Sequence, residues 1–258
     1  MAGEMEIIIP VYNEGENIVR TLSEIEAKVK HPYRVLVVYD SDQDDTLPPL
    51  RHYMENGHDG IRLEKNHYGR GALNAIRTGF EAAEGDLCLV CMGDLSDDMA
   101  AVGDMLRKMD EGCDVVCGSR YMEGGRQIGG PLLKRTLSRL AGTSLHFIAG
   151  VPTHDATNSF KMYRRSLLQQ IEIESSGGFE IGMEILVKAH LLGCKIGEVP
   201  STWRDRSGGE SKFRLWKWLP NYLYWYFLAL KARFARDKSG LLRAAKVRAD
   251  KVRTAKAA

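Results

Sequence analysis

The strongest constraint in this sequence is an alternation: short runs of apolar, often β-branched residues are each followed by a longer stretch with helical spacing. Ile7 to Pro10 leads into a helical pattern from about Glu16 to Lys30, and Arg34 to Tyr39 into one near Pro48 to Glu55. Ile61 to Leu63, Leu87 to Met92 and Val115 to Gly118 continue the strand series, with helices expected over Gly71 to Ala83 and Met99 to Glu111. Strands separated by helices need crossover connections, which implies an α/β fold with a mostly parallel central sheet flanked by helices. Ligands of such sheets bind beyond the carboxyl ends of the strands. The polar clusters Tyr12-Asn13-Glu14, Asp40 to Asp45, Asp94 to Asp98 and Ser119-Arg120-Tyr121 all fall there.

The second half is less regular. A glycine-rich loop, Glu123 to Gly130, precedes an expected helix from about Pro131 to Ala149, a strand near Ser159 to Tyr163, a helix from about Glu180 to Leu192 and a strand at Lys195 to Val199. No Pro/Ser/Gly linker separates the halves, so they read as one domain, and 258 residues suffice for it with an appendage.

Charge is unevenly spread. Residues 231–258 hold ten Lys/Arg and two Asp, leaving 26 Lys/Arg against 32 Asp/Glu in the rest. A basic tail on an acidic body fits an anionic surface, or simply a solvated helix; an acidic body makes nucleic acid an unfavoured partner. Five cysteines without a disulfide framework point to a reducing compartment. Cys88 and Cys91 are three apart in an expected strand, face opposite sides of the sheet, and read as core residues rather than metal ligands. The first strand begins almost at Met1, which leaves no room for a signal segment and leads us to expect a cytoplasmic catalytic body.

Asp94 follows an expected buried strand and is joined by Ser96, Asp97 and Asp98. Hard oxygen ligands gathered there fit Mg²⁺ or Mn²⁺ on a substrate diphosphate, through Asp94, Ser96 and Asp97; Ser96 or Asp97 equally fits a cap on the following helix. Asp40, Asp42, Asp44 and Asp45 lie where a nucleotide's base and ribose would then sit, though a solvated turn explains them too. Gly69-Arg70-Gly71 opens a helix but lacks the full dinucleotide fingerprint. Arg120, Lys134, Arg135, Arg204, Arg206 and Lys212, with hydroxyl donors such as Ser138, supply cations for an anion of two or more charges.

Four motifs carry a resemblance. Pro10-Val11-Tyr12-Asn13-Glu14, Gly118-Ser119-Arg120-Tyr121 with Gly124-Gly125, Asp155-Ala156-Thr157-Asn158-Ser159-Phe160-Lys161, and Gly209-Glu210-Ser211-Lys212 occur in that order. Together, over roughly residues 5 to 215, they resemble the polyprenyl-phosphate (dolichol-phosphate mannose synthase) branch of glycosyltransferase family 2. The resemblance implies a Rossmann-like GT-A fold, a GDP- or UDP-hexose donor, a divalent cation and an inverting single displacement. It further implies that Pro10, Tyr12, Glu14, Asp40 and Asp42 hold the nucleotide sugar and that Asp94 binds the metal. Arg120, Lys134, Ser138 and Arg206 would hold the phosphate of a polyprenyl phosphate, with Asp94, Arg120 and Arg206 carrying the chemistry. A phosphate acceptor is already anionic and needs no general base, so positioning and leaving-group stabilisation can supply most of the catalysis. Two positions depart from the family pattern: Met92-Gly93-Asp94 stands where Asp-x-Asp is usual, and Tyr39-Asp40-Ser41-Asp42 where Asp-Asp-Gly-Ser is usual.

The run Trp218 to Leu230 is 13 residues without charge, short of the ~20 a spanning helix needs. It is dense in Trp and Tyr and flanked by Lys212, Arg214, Lys217, Lys231, Arg233 and Arg236, which predicts an amphipathic helix lying in a membrane surface. The same aromatics would also suit packing on the catalytic domain or on a second copy in a homo-oligomer. The expected organisation is a catalytic domain over 1–212, a membrane-interface segment over 213–236 and a basic tail over 237–258, the whole peripheral on the inner face of the cell membrane. Two other readings stay open: a catalytically degenerate binding or scaffold protein, and a family 2 transferase acting on a sugar hydroxyl.

Overall fold

Ile7, Ile8 and Ile9 sit consecutively in a strand, β1 (Met5–Val11), every residue of which is buried. An unbroken apolar run of this kind has no solvent face, which places β1 in the interior of a sheet covered on both sides. In the computed structural model, which describes residues 3–205, 215–235, 240 and 241 (the side chains of 215–218 excepted), that is its place. The first half continues with α1 (Asn17–Lys28), β2 (Tyr33–Tyr39), α2 (Leu47–Glu55), β3 (Ile61–Lys65), α3 (Ala72–Ala82) and β4 (Leu87–Val90). A 3-10 turn, Met99–Ala101, runs into α4 (Val102–Asp110), followed by β5 (Val115–Ser119).

The second half comprises β6 (Arg126–Ile128), α5 (Leu132–Ser144) extended by a π turn over Leu145–Ala149, β7 (Lys161–Arg164) and α6 (Arg165–Leu168). It closes with α7 (Ile181–Leu191), β8 (Ile196–Pro200), β9 (Thr202–Arg204) and α8 (Leu215–Phe234). The main sheet has seven strands in the order β3-β2-β1-β4-β7-β5-β8. All its pairings are parallel except those of β7, which lies antiparallel between β4 and β5. The expected α/β fold with a mostly parallel sheet is present.

Side chains alternate between two cores. Ile8, Leu36, Val38, Cys88 and Val90 meet α3, α7 and α8 on one face; Ile7, Ile9, Val35, Val37, Leu89 and Cys91 meet α1 and α4 on the other. Each fully buried Ile, Leu or Val contributes roughly 1.5–3 kcal/mol, so this doubly covered sheet is a rigid frame. Cys88 and Cys91 do fall on opposite faces, and burial pushes the Cys88 thiol up to about 12 and the Cys91 thiol well above its ordinary range. Both are packing residues.

The helix expected over 131–149 begins as α5 but ends in the π turn, and β6 and β9 form a small parallel sheet that no periodic pattern announced. The aromatic segment is a helix, α8, and one of its faces belongs to the body: Trp225, Leu228, Ala229 and Ala232 are buried in the same core as α3 and α7. The basic tail lies outside the described residues apart from Gly240 and Leu241.

Candidate active site

The carboxyl ends of β1, β2, β4 and β5 open onto one cavity of ≈ 560 Å³. Pro10, Tyr12, Glu14, Asp40, Asp94, Ser96, Arg120, Lys134 and Ser138 all line it, so residues spread over 129 positions of sequence converge. Asp42 and Asp97 are not among its lining residues, and Arg206 and the Gly209 to Lys212 motif lie outside the described residues.

The loop after β1 is held by the loop after β2. Asp44 Oδ1 accepts from Asn13 N at 3.0 Å, Thr46 Oγ1 from Glu14 N at 3.0 Å, and Asp45 Oδ1 from Gly15 N at 3.0 Å. These bonds stabilise Asn13 at φ 52, a left-handed conformation that Asn tolerates better than most residues. The acidic cluster at 40–45 therefore divides. Asp44 and Asp45 staple the neighbouring loop, Asp42 is an exposed surface carboxylate paired with Lys65, and Asp40 alone lines the cavity. Its Oδ1 accepts from Asn66 Nδ2 at 2.7 Å and its Oδ2 from Gly71 N at 2.9 Å, which fixes the turn that opens α3. Gly71 has φ 121, open to glycine and strained for other residues. That turn brings Arg70, singled out earlier only within a weak glycine motif, to the cavity wall.

The loop after β4 also divides its carboxylates. Asp94 lines the cavity and its Oδ1 accepts from Ser96 N at 3.1 Å. Asp97, expected as a metal ligand, turns inward: Oδ2 accepts from Met92 N at 2.8 Å, and burial pushes the carboxyl up to about 7 against the pull of that bond. The cap expected from Ser96 or Asp97 is supplied by Asp98, whose side chain accepts from Ala100 N at 3.2 Å. Among the described residues no three His, Cys, Asp or Glu side chains gather as a metal cage. One carboxylate and one hydroxyl, Asp94 and Ser96, fit a hard cation that keeps its water and takes its remaining ligands from a substrate diphosphate. They do not fit a tightly held resident ion.

Arg120, at the end of β5, is the centre of the other half. Asp155 takes it in a two-point grip, Nε to Oδ2 at 2.7 Å and Nη2 to Oδ1 at 2.8 Å, while the Arg120 backbone N–H adds a bond to Oδ2 at 3.0 Å. Burial works against charge on both groups, but mutual attraction wins: the guanidinium is held above its ordinary value and the Asp155 carboxyl below its own. Arg120 Nη2 also donates to Ser138 Oγ at 3.0 Å and Thr157 Oγ1 at 3.1 Å, and Tyr121 OH donates to Ser138 Oγ at 3.0 Å. Arg120 and Ser138, in contact with each other, line the cavity together with Lys134, one turn back on α5, and with Gly130 and Pro131, where the N-terminal N–H groups of α5 begin. Helix N-termini with nearby cations suit phosphate. Phe179, Trp203, Leu219 and Tyr222 also line the cavity: the first two were not singled out in the sequence, because aromatic residues give no local sign of facing a cavity, and Leu219 and Tyr222 belong to the aromatic run expected at a membrane surface.

A cleft at the carboxyl edge of a mostly parallel sheet, with carboxylates on one side and phosphate-type donors on the other, is an arrangement of the GT-A fold. The chain belongs to glycosyltransferase family 2, whose family model matches residues 6–172. It is 27% identical over 215 residues to the dolichol-phosphate mannosyltransferase of Pyrococcus furiosus, covering 82% of this chain and 59% of that protein. It is 31% identical over 214 residues to the polyprenol monophosphomannose synthase of Mycolicibacterium smegmatis, covering 80% of this chain and 79% of that one. Its fold matches the crystal structure of glucosyl-3-phosphoglycerate synthase from Mycobacterium tuberculosis in complex with Mn²⁺, UDP and glucosyl-3-phosphoglycerate, with a TM-score of 0.63 at 18% identity over 92% of this chain and 82% of that chain.

Proposed function

We propose that this protein is an inverting transferase moving a hexose from a GDP- or UDP-hexose to a polyprenyl phosphate at the cytoplasmic face of a membrane. One observation carries the reading: a single cavity is lined on one side by Pro10, Tyr12, Glu14, Asp40 and Asp94, and on the other by Arg120, Lys134 and Ser138. The names of the Pyrococcus and Mycolicibacterium relatives support a mannose-type donor and a polyprenyl acceptor.

In this reading Pro10, Tyr12, Glu14 and Asp40 hold the nucleoside, and Asp94 with Ser96 holds Mg²⁺ or Mn²⁺ where the diphosphate lies. The bound cation would neutralise charge on the departing diphosphate. Lys134, Ser138 and the N-terminus of α5 seat the acceptor phosphate, and Arg206 is assigned to the same phosphate from sequence. Arg120, neutralised by Asp155, orients Ser138 and contributes directed donors rather than a bare charge. An acceptor oxygen that is already ionised attacks the anomeric carbon from the face opposite the diphosphate, so no residue has to remove a proton.

Membrane contact is supported by the outer surface. Nine of the twelve exposed large apolar side chains among the described residues fall on α5, the π turn and α8: Leu132, Leu133, Leu140, Phe147, Ile148, Leu223, Tyr224, Phe227 and Phe234. Lys134, Arg135, Arg139, Lys231 and Arg233 accompany them on the same elements, a combination suited to anionic headgroups. No described helix is long and apolar enough to cross a membrane, so contact would be peripheral.

The test is to incubate purified protein and Mg²⁺ or Mn²⁺ with a panel of UDP- and GDP-sugars and a short polyprenyl phosphate, and to look for a glycosylated lipid by mass spectrometry. A product with one donor establishes donor and acceptor together. Folded, donor-binding protein that makes no product across the panel would favour a scaffold role, a reading to which Met92 in the cavity wall lends weight.

A further inference from the structure

Two carboxylates at the start of α7 are buried with no exposed surface, although they lie beside a loop: Glu180 and Glu184 are each 0% exposed. Buried charge is costly unless its lone pairs are filled, and here the loop 172–180 fills them. Glu184 accepts from Glu174 N at 2.7 Å and Ser175 N at 2.9 Å; Glu180 accepts from Gly177 N at 2.7 Å and Gly178 N at 2.6 Å. The same loop then reaches α8. Asn221 Nδ2 donates to Glu180 Oε1 at 3.1 Å, and Trp225 Nε1 donates to Ser175 Oγ at 3.1 Å. Glu180 with Glu184 and Asn221 with Trp225 are both one helical turn apart, so two rungs tie α7 to α8 through the loop.

Two further observations show that this ladder is built rather than incidental. A Cβ at Gly177 would stand 2.1 Å from Asn221 Nδ2, so only glycine leaves room for the lower rung. Lys188, also 0% exposed, joins Glu184 at 2.6 Å and Glu174 at 2.9 Å, with Nζ 5.0 Å from the centre of the Trp225 ring. Between the rungs Tyr222 lines the cavity, as do Leu219 and, adjacent to Glu180, Phe179. Burial and the nearby Glu180 push the Tyr222 phenol up.

We infer that Asn221 and Trp225 are positioning residues, which latch α8 to the 172–180 loop so that Tyr222, Leu219 and Phe179 form a fixed wall on the acceptor side of the cleft. The inference rests on the proposed polyprenyl phosphate acceptor and extends it: α8 carries apolar residues for a membrane on one face and a wall of the reaction chamber on the other. The latch touches none of the residues assigned to the donor.

The test uses the full chain with Asn221→Ala and Trp225→Phe, the second keeping an aromatic ring but removing the donor. Steady-state transfer should show KM for a short polyprenyl phosphate raised about tenfold in each variant while donor KM stays within about twofold. Hydrogen exchange in the α8 peptides should quicken in both variants; Asn221→Ala should change the melting temperature little, whereas Trp225→Phe, which shrinks a buried ring, should lower it by a few degrees. Parallel changes in both KM values, or faster exchange with acceptor KM unaltered, would overturn the positioning role. A wild type that makes no glycolipid would remove the proposed acceptor and leave the latch to be judged by exchange alone; unchanged α8 exchange in both variants overturns it whatever the acceptor is.

Discussion

Single residues in this site differ chiefly in what already occupies them. Asp94 faces the cavity and is the only carboxylate of its loop among the cavity-lining residues, whereas Asp97 spends its bonding on Met92. Asp94→Ala should therefore reduce transfer by at least about a hundredfold without changing circular dichroism or melting, the scale expected when a leaving-group contact is lost. Near wild-type turnover would remove Asp94 from the mechanism. Asp155 is the opposite kind of residue, fully buried, with both oxygens gripped by Arg120 and Oδ1 also accepting from Asn158 N at 3.2 Å. Asp155→Asn leaves a buried guanidinium short of its counter-charge and should cost roughly 3–5 kcal/mol in urea unfolding at neutral pH. The Asp155 carboxyl titrates below its ordinary 3.8, so its contribution is present above that pH and is lost as pH falls through the lowered value. Stability curves of wild type and variant should run apart from pH 7 down to about 4 and converge below it. A gap independent of pH would mean that the grip is steric rather than ionic.

Among elements, those buried on both sides were legible in the sequence and those defined by a partner were not. The runs in β1, β2, β4 and β5 show as unbroken apolar stretches because a covered sheet leaves no polar face, and the helices between them show as periodic stripes. β6 and β9 are three residues each, and they pair across more than seventy positions, so no local pattern reports them. For the same reason the acidic run 40–45 looked uniform, though tertiary neighbours give Asp40, Asp42 and Asp44 three different tasks. The motif residues Pro10, Tyr12, Glu14 and Arg120 could be expected at the cavity because they belong to short sequence patterns, and Ser138 as a hydroxyl donor beside the cations; Phe179 could not, since walls are made by packing, and Tyr222 was legible only as part of an aromatic run expected at a membrane surface. α5 owes its place to Gly142, where a Cβ would lie 2.1 Å from His154 O. Gly142→Ala should push the helix off the loop, lowering stability by about 1–3 kcal/mol and transfer more than donor binding, as measured by melting and nucleotide titration.

At the scale of the molecule, α8 is part of the body as well as its outer face, with Trp225, Leu228, Ala229 and Ala232 in the core. Point substitutions on the exposed side are therefore the clean probe of membrane contact. Replacing Phe147, Tyr224 and Phe227 together by Ser should weaken binding to anionic liposomes by at least about tenfold in a flotation assay, with unfolding little affected. Undiminished flotation would assign that surface to another partner. The antiparallel strand β7 has a different consequence, one that concerns how the chain assembles. β1 to β4 are close in sequence and can pair as soon as they exist, but β4 and β5, though joined only by α4, never touch as strands and must wait for β7 to slide between them. Local pairings form quickly and distant ones slowly. A chain emerging during synthesis would accordingly complete the β3-β2-β1-β4 part of the sheet first, with β4 left as an open strand edge, and acquire Asp155 and its hold on Arg120 only when β7 closes the gap.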